Sequence, residues 1–526
     1  MIKNNYYNFR NPVRHFLNID RVRIQSGFEN LEKSDFAWAL PINFRVRKEE
    51  RKYRTLKLPN IFNFLCALEK FKDNDNFLNP VDFDSRKRLF PNLTTGDFEA
   101  GVYDRQLEND FLELCIYDYL MKLDIKAYYE RIYTHDITFQ NAGDENYLTN
   151  LNAGNTNGLI MGNYISLYFA EKYLKEISNE IHTKIIERNI DCKFSYFSDD
   201  FYFFCNEKDQ ERIISIFDKA LEKFNLERSD AEIEVWDYLS YNNYNLIEKY
   251  WKKIISVSKE RFDNYKNDNN LYFSNQLIYR MSMLSNNKSK RTFLNTFFKT
   301  TYFHDLDLTK FKLNDYNYHQ LCCIFKFSPE TLLYSIDKFS ENEFFLSEKF
   351  KKFLEVRYNE ALLRPFNDEQ LYYFYAINLL NFDDLLTNTA NLVVKIDNQI
   401  LISYYLQKEL FNREQIDILK LKKSERFWFQ NYHLILFTDL RDVLENSIAE
   451  YLIPEYAKKE RQKASYYNFY KINLEDGISL IRTIDEVINI LEEYLEFKKE
   501  ERIEVFGDDQ DESFEEDNFE VEQEML

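Results

Sequence analysis

The stretch Phe194-Ser-Tyr-Phe-Ser-Asp-Asp-Phe-Tyr-Phe-Phe204 leaves this chain few options. Aromatic side chains this dense favour buried strand, and Ser198-Asp199-Asp200 between them favours a turn. The stretch therefore predicts a β-hairpin with two carboxylates at its tip. Adjacent carboxylates repel by about 4 kcal/mol at about 4 Å in an effective dielectric of about 20. Two environments relieve that repulsion. One is a divalent cation held between the carboxylates; the other is an exposed turn whose Asp side chains only cap backbone N–H groups. The stretch alone does not choose between them.

Length and composition narrow the setting. A chain of 526 residues predicts two or more domains. With only 9 Gly and 8 Pro, it has few helix breakers and little room for a Gly-rich phosphate loop, so mostly helix is expected. The net charge is −20, and residues 501–526 carry −11 of it, which leaves −9 on the rest. That tail reads as disordered and solvated. An acidic body argues against a broad duplex-gripping surface, because such binding rests on Lys and Arg neutralising phosphates. The 6 cysteines show no CxxC spacing and read as small buried hydrophobes in a reducing, cytoplasmic setting. No signal peptide opens the chain and no run of about 18 apolar residues occurs, so no membrane partner is expected.

Along the chain, Arg54, Leu56 and Leu58 alternate with Thr55 and Lys57 before Pro59, which predicts a short cationic strand, followed by a helix over 61–71. Such a strand is either a solvated edge or a receiver of phosphates. Residues 72–100 read as loop, and 111–125 as an apolar, strand-like run ending at Asp124. Tyr129, Ile132 and Tyr133 then recur at helical spacing. Gly158 and Gly162 stand four apart, immediately before a helix that is expected to run through Asn179. A chain this sparing of glycine needs close backbone approach there. A helix over 210–224 and a strand within 231–245 follow. Beyond 246, helical stretches recur through 500, at 330–339, 369–380, 400–410 and 474–497, without a convincing sequence period.

In this order, the motifs resemble the fingers and palm of reverse transcriptases. Arg54-Thr-Leu-Lys-Leu-Pro resembles the fingers strand, and Leu123-Asp-Ile-Lys-Ala-Tyr-Tyr the first catalytic motif. Gly158-Leu-Ile-Met-Gly-Asn-Tyr-Ile-Ser is similar to GxPxGNxxS, and Phe197-Ser-Asp-Asp to Y-x-D-D. The resemblance implies catalytic Asp124, Asp199 and Asp200, with two Mg²⁺ ions held by Asp124, Ile125, Asp199 and Asp200. It implies nucleotide contacts from Arg54, Lys57, Tyr129, Gly162 and Asn163. Tyr129 would lie under the incoming sugar and exclude a 2′-hydroxyl, so deoxynucleotides are the expected substrates.

Departures from the general pattern matter as well. Met161 stands where many templated enzymes carry Gln; the late palm motif maps near Glu227–Ala231 without its Lys; and no convincing basic thumb follows, Lys288, Lys290 and Arg291 forming only a small cluster. The combination is most similar to the abortive-infection (Abi) reverse transcriptases, the AbiK and P-two prophage types. That resemblance implies an antiphage enzyme that builds single-stranded DNA from dNTPs without a template, covalently attached to a priming Tyr. It also implies a HEAT-like helical domain and a trimer or hexamer. The expected division is a polymerase half at 1–245, a helical half at 246–500 and the acidic tail at 501–526. A priming hydroxyl has to reach the metals, so a mobile segment is favoured. Tyr6 and Tyr7, in a polar N-terminal stretch, are the expected pair.

Three rivals remain. A templated reverse transcriptase needs a basic duplex channel. A ribonuclease in the helical half would use Arg426 and His433, whose R-x6-H spacing resembles HEPN ribonucleases, although a structural Arg among Phe427, Trp428 and Phe429 is the plainer expectation. A dead polymerase kept as a scaffold is opposed by the presence of all three carboxylates.

Overall fold

A computed structural model describes residues 3–24, 28, 31–48, 51–78, 84–99, 102–231, 233–242, 272–284, 286–300, 303–304 and 315–506. The chain is mixed α+β, with small antiparallel sheets first and a repeat-like all-α region after them. It opens on α1 (Lys3–Tyr7). β1 (Ile42–Arg47) and β2 (Tyr53–Leu58) pair antiparallel with Phe44 opposite Leu56, and α2 (Ile61–Phe71) starts at an Asn60 side chain that accepts from Phe62 N. A two-residue hairpin, β3 (Pro91–Asn92) and β4 (Asp97–Phe98), interrupts the expected loop. Then come α3 (Val102–Leu114), β5 (Tyr119–Asp124), α4 (Tyr128–Arg131), α5 (Glu145–Leu151), α6 (Tyr164–Glu187), β6 (Cys192–Phe197), β7 (Asp200–Cys205), α7 (Gln210–Lys223) and β8 (Glu234–Trp236).

The main sheet runs β6-β7-β5-β8, each neighbour antiparallel. Side chains alternate between its faces. Phe194, Phe201 and Phe203 stack on one face, with Phe201 against Phe217 of α7 at 5.3 Å. Lys122, Asp124, Asp200 and Tyr202 therefore share the other face. α3 covers the far end of that face through Phe111, Leu120, Phe204 and Tyr241, and the end with the carboxylates stays half-exposed.

The helical region comprises α8 (Tyr272–Met283), α9 (Asn287–Phe298), α10 (Asp315–Phe327), α11 (Glu330–Phe339), α12 (Glu348–Leu362), α13 (Asn367–Leu379), α14 (Asp383–Val393), α15 (Gln399–Gln407), α16 (Arg413–Lys420), α17 (Trp428–Phe437), α18 (Leu444–Tyr451), α19 (Glu460–Glu475) and α20 (Ile484–Phe506). Helices pack on near neighbours, as α11 does on α13 and α15 on α17. None of the described helices is long and apolar enough to cross a membrane.

Several sequence expectations need correction. The run at 111–125 is the end of α3 and then β5, because Cys115–Asp118 turns the chain. The helix expected through Tyr133 is the single turn α4, with Ala127 before it at φ 48. The stretch 474–497 is two helices. Gly477, at φ 70, ends α19, and Leu480 and Ile481 are buried in an extended link. α20 carries the chain helically to Phe506, so the tail assigned to 501–526 begins inside a helix; 507–526 lie outside the described residues, as does the boundary at 245.

The first twenty residues join the last helices. Leu17 bridges Ile481, Asn18 N donates to Leu480 O at 2.8 Å, and Arg482 N donates to Phe16 O at 3.0 Å. One continuous apolar core runs from Tyr6 to Tyr494. β1 also rests on α13, where Arg47 pairs with Glu369 and Arg47 N donates to the buried Asp368 carboxylate at 3.2 Å. Burial, then the Glu369 charge, pushes Asp368 up to about 8. A carboxylate whose folded pKa is raised stabilises the fold fully below its unfolded value of about 3.9, and that stability is lost as pH rises through the folded value. Relative to Asp368→Asn, the wild type is expected to lose at most about 1.4 kcal/mol per pH unit across that window. The melting-temperature gap between the two should therefore widen from pH 6 to about pH 8.5; a constant gap would show that Asp368 is ionised throughout.

Candidate active site

The hairpin of β6 and β7 turns on Ser198 and Asp199, with Ser198 at φ 55. Register places Phe197 opposite Asp200 and Asp200 opposite Asp124, one cross-strand row on the half-exposed face. Ile125 N donates to Asp199 O at 3.1 Å and ties the tip to the end of β5. The sheet thus gathers all three carboxylates. Burial, then the charges of Asp199 and Asp200, raises Asp124 to about 6. Burial also raises Asp200, against the opposing pull of Lys122.

Lys122 was not anticipated. Its ammonium lies 3.1 Å from Asp200 and 3.6 Å from Glu234. Burial works against its charge, but Tyr202, Asp200 and Glu234 together raise its pKa. Lys122 stands two residues before Asp124 on one strand, so period-two alternation already put both on one face. Lys288 of α9 also acts on Asp200 electrostatically, while Arg291 one turn later reaches Lys48 O. Of the small basic cluster, Lys288 is therefore the member that acts on the site, and its distance in sequence hid this.

A second group of residues faces the first. The Gly158–Gly162 loop lies between β2 and α4. Leu159 N donates to Tyr129 O at 2.8 Å and Lys57 N donates to Met161 O at 3.0 Å. Both glycines have positive φ, 84 and 119. A Cβ on Gly158 would meet Glu130 O at 3.1 Å, and one on Gly162 would meet Leu56 Cβ at 3.3 Å. Close approach of backbone to its neighbours is thus what both glycines provide. The loop brings Tyr129 and Arg54 into one neighbourhood: burial first, then Glu171 and Asp199, raises the Tyr129 phenol, while Arg54 opposes them. Arg54 is exposed. Lys57 instead donates to Asn152 Oδ1 at 3.0 Å. Asn163 is buried and caps α6, accepting from Ser166 N at 2.9 Å, so it acts through the loop it anchors.

Tyr6 and Tyr7 are not in a mobile segment. They lie in α1 and are buried, and the Tyr7 hydroxyl donates to Pro59 O at 2.7 Å. The neighbouring asparagines are polar but equally enclosed: Asn5 donates to Leu93 O and Thr94 O. Arg426 and His433 do not form a ribonuclease pair either. Arg426 is exposed in a separate 3₁₀ turn and is not packed within the aromatic cluster. His433 is fully buried, with Nδ1 donating to Phe429 O at 2.9 Å and Nε2 accepting from Leu480 N at 3.1 Å. Burial drives its pKa down to about 3, and both ring nitrogens are occupied, so it is a core residue.

Among the described residues, no three His, Cys, Asp or Glu side chains stand together in metal-holding geometry. With Asp200 paired to Lys122, Asp124 and Asp199 remain as neighbouring hard-oxygen donors. That set fits Mg²⁺, which takes one or two protein carboxylates and completes its shell with water and substrate phosphates. No protein-family model matches the chain, and no curated protein matches it in sequence.

Proposed function

We propose that the chain is a reverse-transcriptase-like DNA polymerase of the abortive-infection kind, active in phage defence in the cytoplasm. The observation that carries the reading is the cross-strand row of Asp200 and Asp124, with Asp199 at the turn beside them. In this reading the four-stranded sheet is the palm, β1 and β2 are the fingers, and the repeat-like helices form a HEAT-like domain that supports a homo-oligomer, a trimer or hexamer. Asp124, Asp199 and the Ile125 backbone hold Mg²⁺, with Asp200 in support. When bound, the two ions supply Lewis-acid activation of the attacking oxygen and stabilise the leaving pyrophosphate. Arg54 and Lys57 attract the triphosphate, and Tyr129 excludes the ribose 2′-hydroxyl. Synthesis is untemplated and starts on a protein tyrosine other than the enclosed Tyr6 and Tyr7.

The test uses protein purified from cells, run on a denaturing gel with and without DNase, beside Asp199→Ala. The expected result is a DNase-sensitive smear that collapses to one band and is absent from the variant. No smear, together with no Mg²⁺-dependent dNTP incorporation by the wild type, would refute the polymerase reading. A product sequence that follows an added RNA would select a templated enzyme instead. Peptide mapping of the nucleotide adduct identifies the priming tyrosine.

A further inference from the structure

The cross-strand row that holds Asp124 and Asp200 continues past them. Its third member, Phe197, lies two strand spacings from Asp124, about 10 Å across the sheet. Phe98 of β4 meets Phe197 edge to face at 5.1 Å. The Arg10 guanidinium sits over both rings, 4.9 Å from the Phe98 centroid and 5.8 Å from that of Phe197. Both rings are half-buried, and the Arg10 side chain is 58% exposed.

Among the described residues Arg10 makes one ion pair, with Asp97 at 3.9 Å. Asp97 is shared: it also accepts from the Tyr494 hydroxyl at 3.1 Å. Burial works against the charged Asp97, yet Lys498, Arg14, Arg10 and Lys299 hold its pKa below the usual range. Arg14 stacks on Tyr494 at 5.0 Å, and its Nε is buried without a partner. Four cations thus act on Asp97, one of them, Lys299, also paired with Glu330 at 3.2 Å. Arg10 is also held at φ 66, which favours glycine; Arg10 N donates to Gly96 O and Phe9 N to Gly162 O. The same short segment therefore joins this patch to the glycine loop beside Tyr129.

We propose that Arg10, Phe98 and Phe197 form a landing platform for single-stranded nucleic acid, taking the last nucleotides of a strand whose end lies at Asp124 and Asp199. The proposal rests on the polymerase reading and adds where the strand goes. Aromatic faces stack unpaired bases of any sequence, and a cation between them meets the backbone phosphates. A duplex would instead need a broad basic surface.

The assay follows binding of a fluorescent oligothymidylate to full-length protein carrying Asp199→Ala, so that no synthesis intervenes. Arg10→Gly removes the cation at a backbone conformation that suits glycine, so the melting temperature should not fall. Its affinity should drop about tenfold, and the slope of log K on log salt should shrink by about 0.7. Phe98→Leu keeps apolar volume but removes a stacking face; it should weaken binding with the slope unchanged. Unchanged affinity in both variants overturns the platform. Equal binding of a duplex overturns its preference for single strands. Displacement by inorganic phosphate at equal phosphate concentration would mark a free-anion pocket and also overturn it. Because binding is read without catalysis, failure of dNTP incorporation in the wild type would sink the polymerase reading separately.

Discussion

Asp124→Asn and Asp199→Asn are each expected to reduce Mg²⁺-dependent dNTP incorporation by at least about 10³-fold, and Asp200→Asn by clearly less. The difference comes from how the three carboxylates are held. Asp200 is engaged by Lys122 at 3.1 Å, so its charge already has a partner. Among the described residues Asp124 makes no ion pair as close: burial and the repulsion of Asp199 and Asp200 raise its pKa to about 6, against the charge of Lys122 and a hydrogen bond with Ser229. In the proposed reading a cation would relieve that repulsion, so removing either Asp124 or Asp199 would remove a ligand, whereas removing Asp200 would mainly free Lys122. Asn preserves shape, and circular dichroism should show the three variants folded alike. Incorporation rates that fall equally in all three would show that Lys122 does not set Asp200 apart. Wild-type rates in Asp124→Asn would remove the site altogether.

Tyr129→Ala should admit ribonucleotides, with discrimination against them falling about 10²-fold, while Tyr129→Phe should keep it. In the proposed reading the ring, not the hydroxyl, would carry the exclusion. Its position is fixed from two sides: Leu159 N holds the Tyr129 carbonyl at 2.8 Å, and the Tyr128 ring stands edge-on at 5.8 Å. Tyr128 is itself anchored, its hydroxyl donating to Ala170 O of α6 at 2.5 Å. Truncation therefore leaves room that the surrounding packing does not refill. The comparison is the ratio of incorporation efficiencies, kcat/KM, for dNTP and NTP. An unchanged ratio in Tyr129→Ala would mean that the sugar lies elsewhere.

The hairpin at 194–204 was readable because two aromatic runs and a Ser-Asp turn agree locally, and the helix at 61–71 because Asn60 and a solid apolar run mark it. The glycine loop was readable from rarity alone. What the sequence hid was set by contacts distant along the chain. Tyr6 and Tyr7 sit among Asn4, Asn5 and Asn8, a composition that suggests solvent, yet Asn4 donates to carbonyls of Arg14 and Leu17 inside the core. Leu480 and Ile481 look like helix, but their backbone is taken by Asn18 and Leu17. Lys288 is separated from Asp200 by a stretch with no pattern pointing back to the four-stranded sheet. In each case a partner beyond the local window, from about ten residues away to several hundred, decides what local composition leaves open.

The bridge between Leu17 and Ile481 also bears on how the chain is made. At about 5–20 residues per second, on the order of a minute separates the emergence of these two residues from a ribosome. Throughout that time the segment from Arg14 to Asn18 lacks its partners at 480–482, although Tyr6 and Tyr7 already have Phe64, Phe77 and Tyr164 to pack against. The four-stranded sheet can pair early, since its strands lie within 119–236, but the contacts at 480–482 close later. Emergence of residues 480–482 is thus built into the architecture as a condition for the finished fold. A truncated or stalled chain keeps the carboxylates and lacks the framework that positions everything around them.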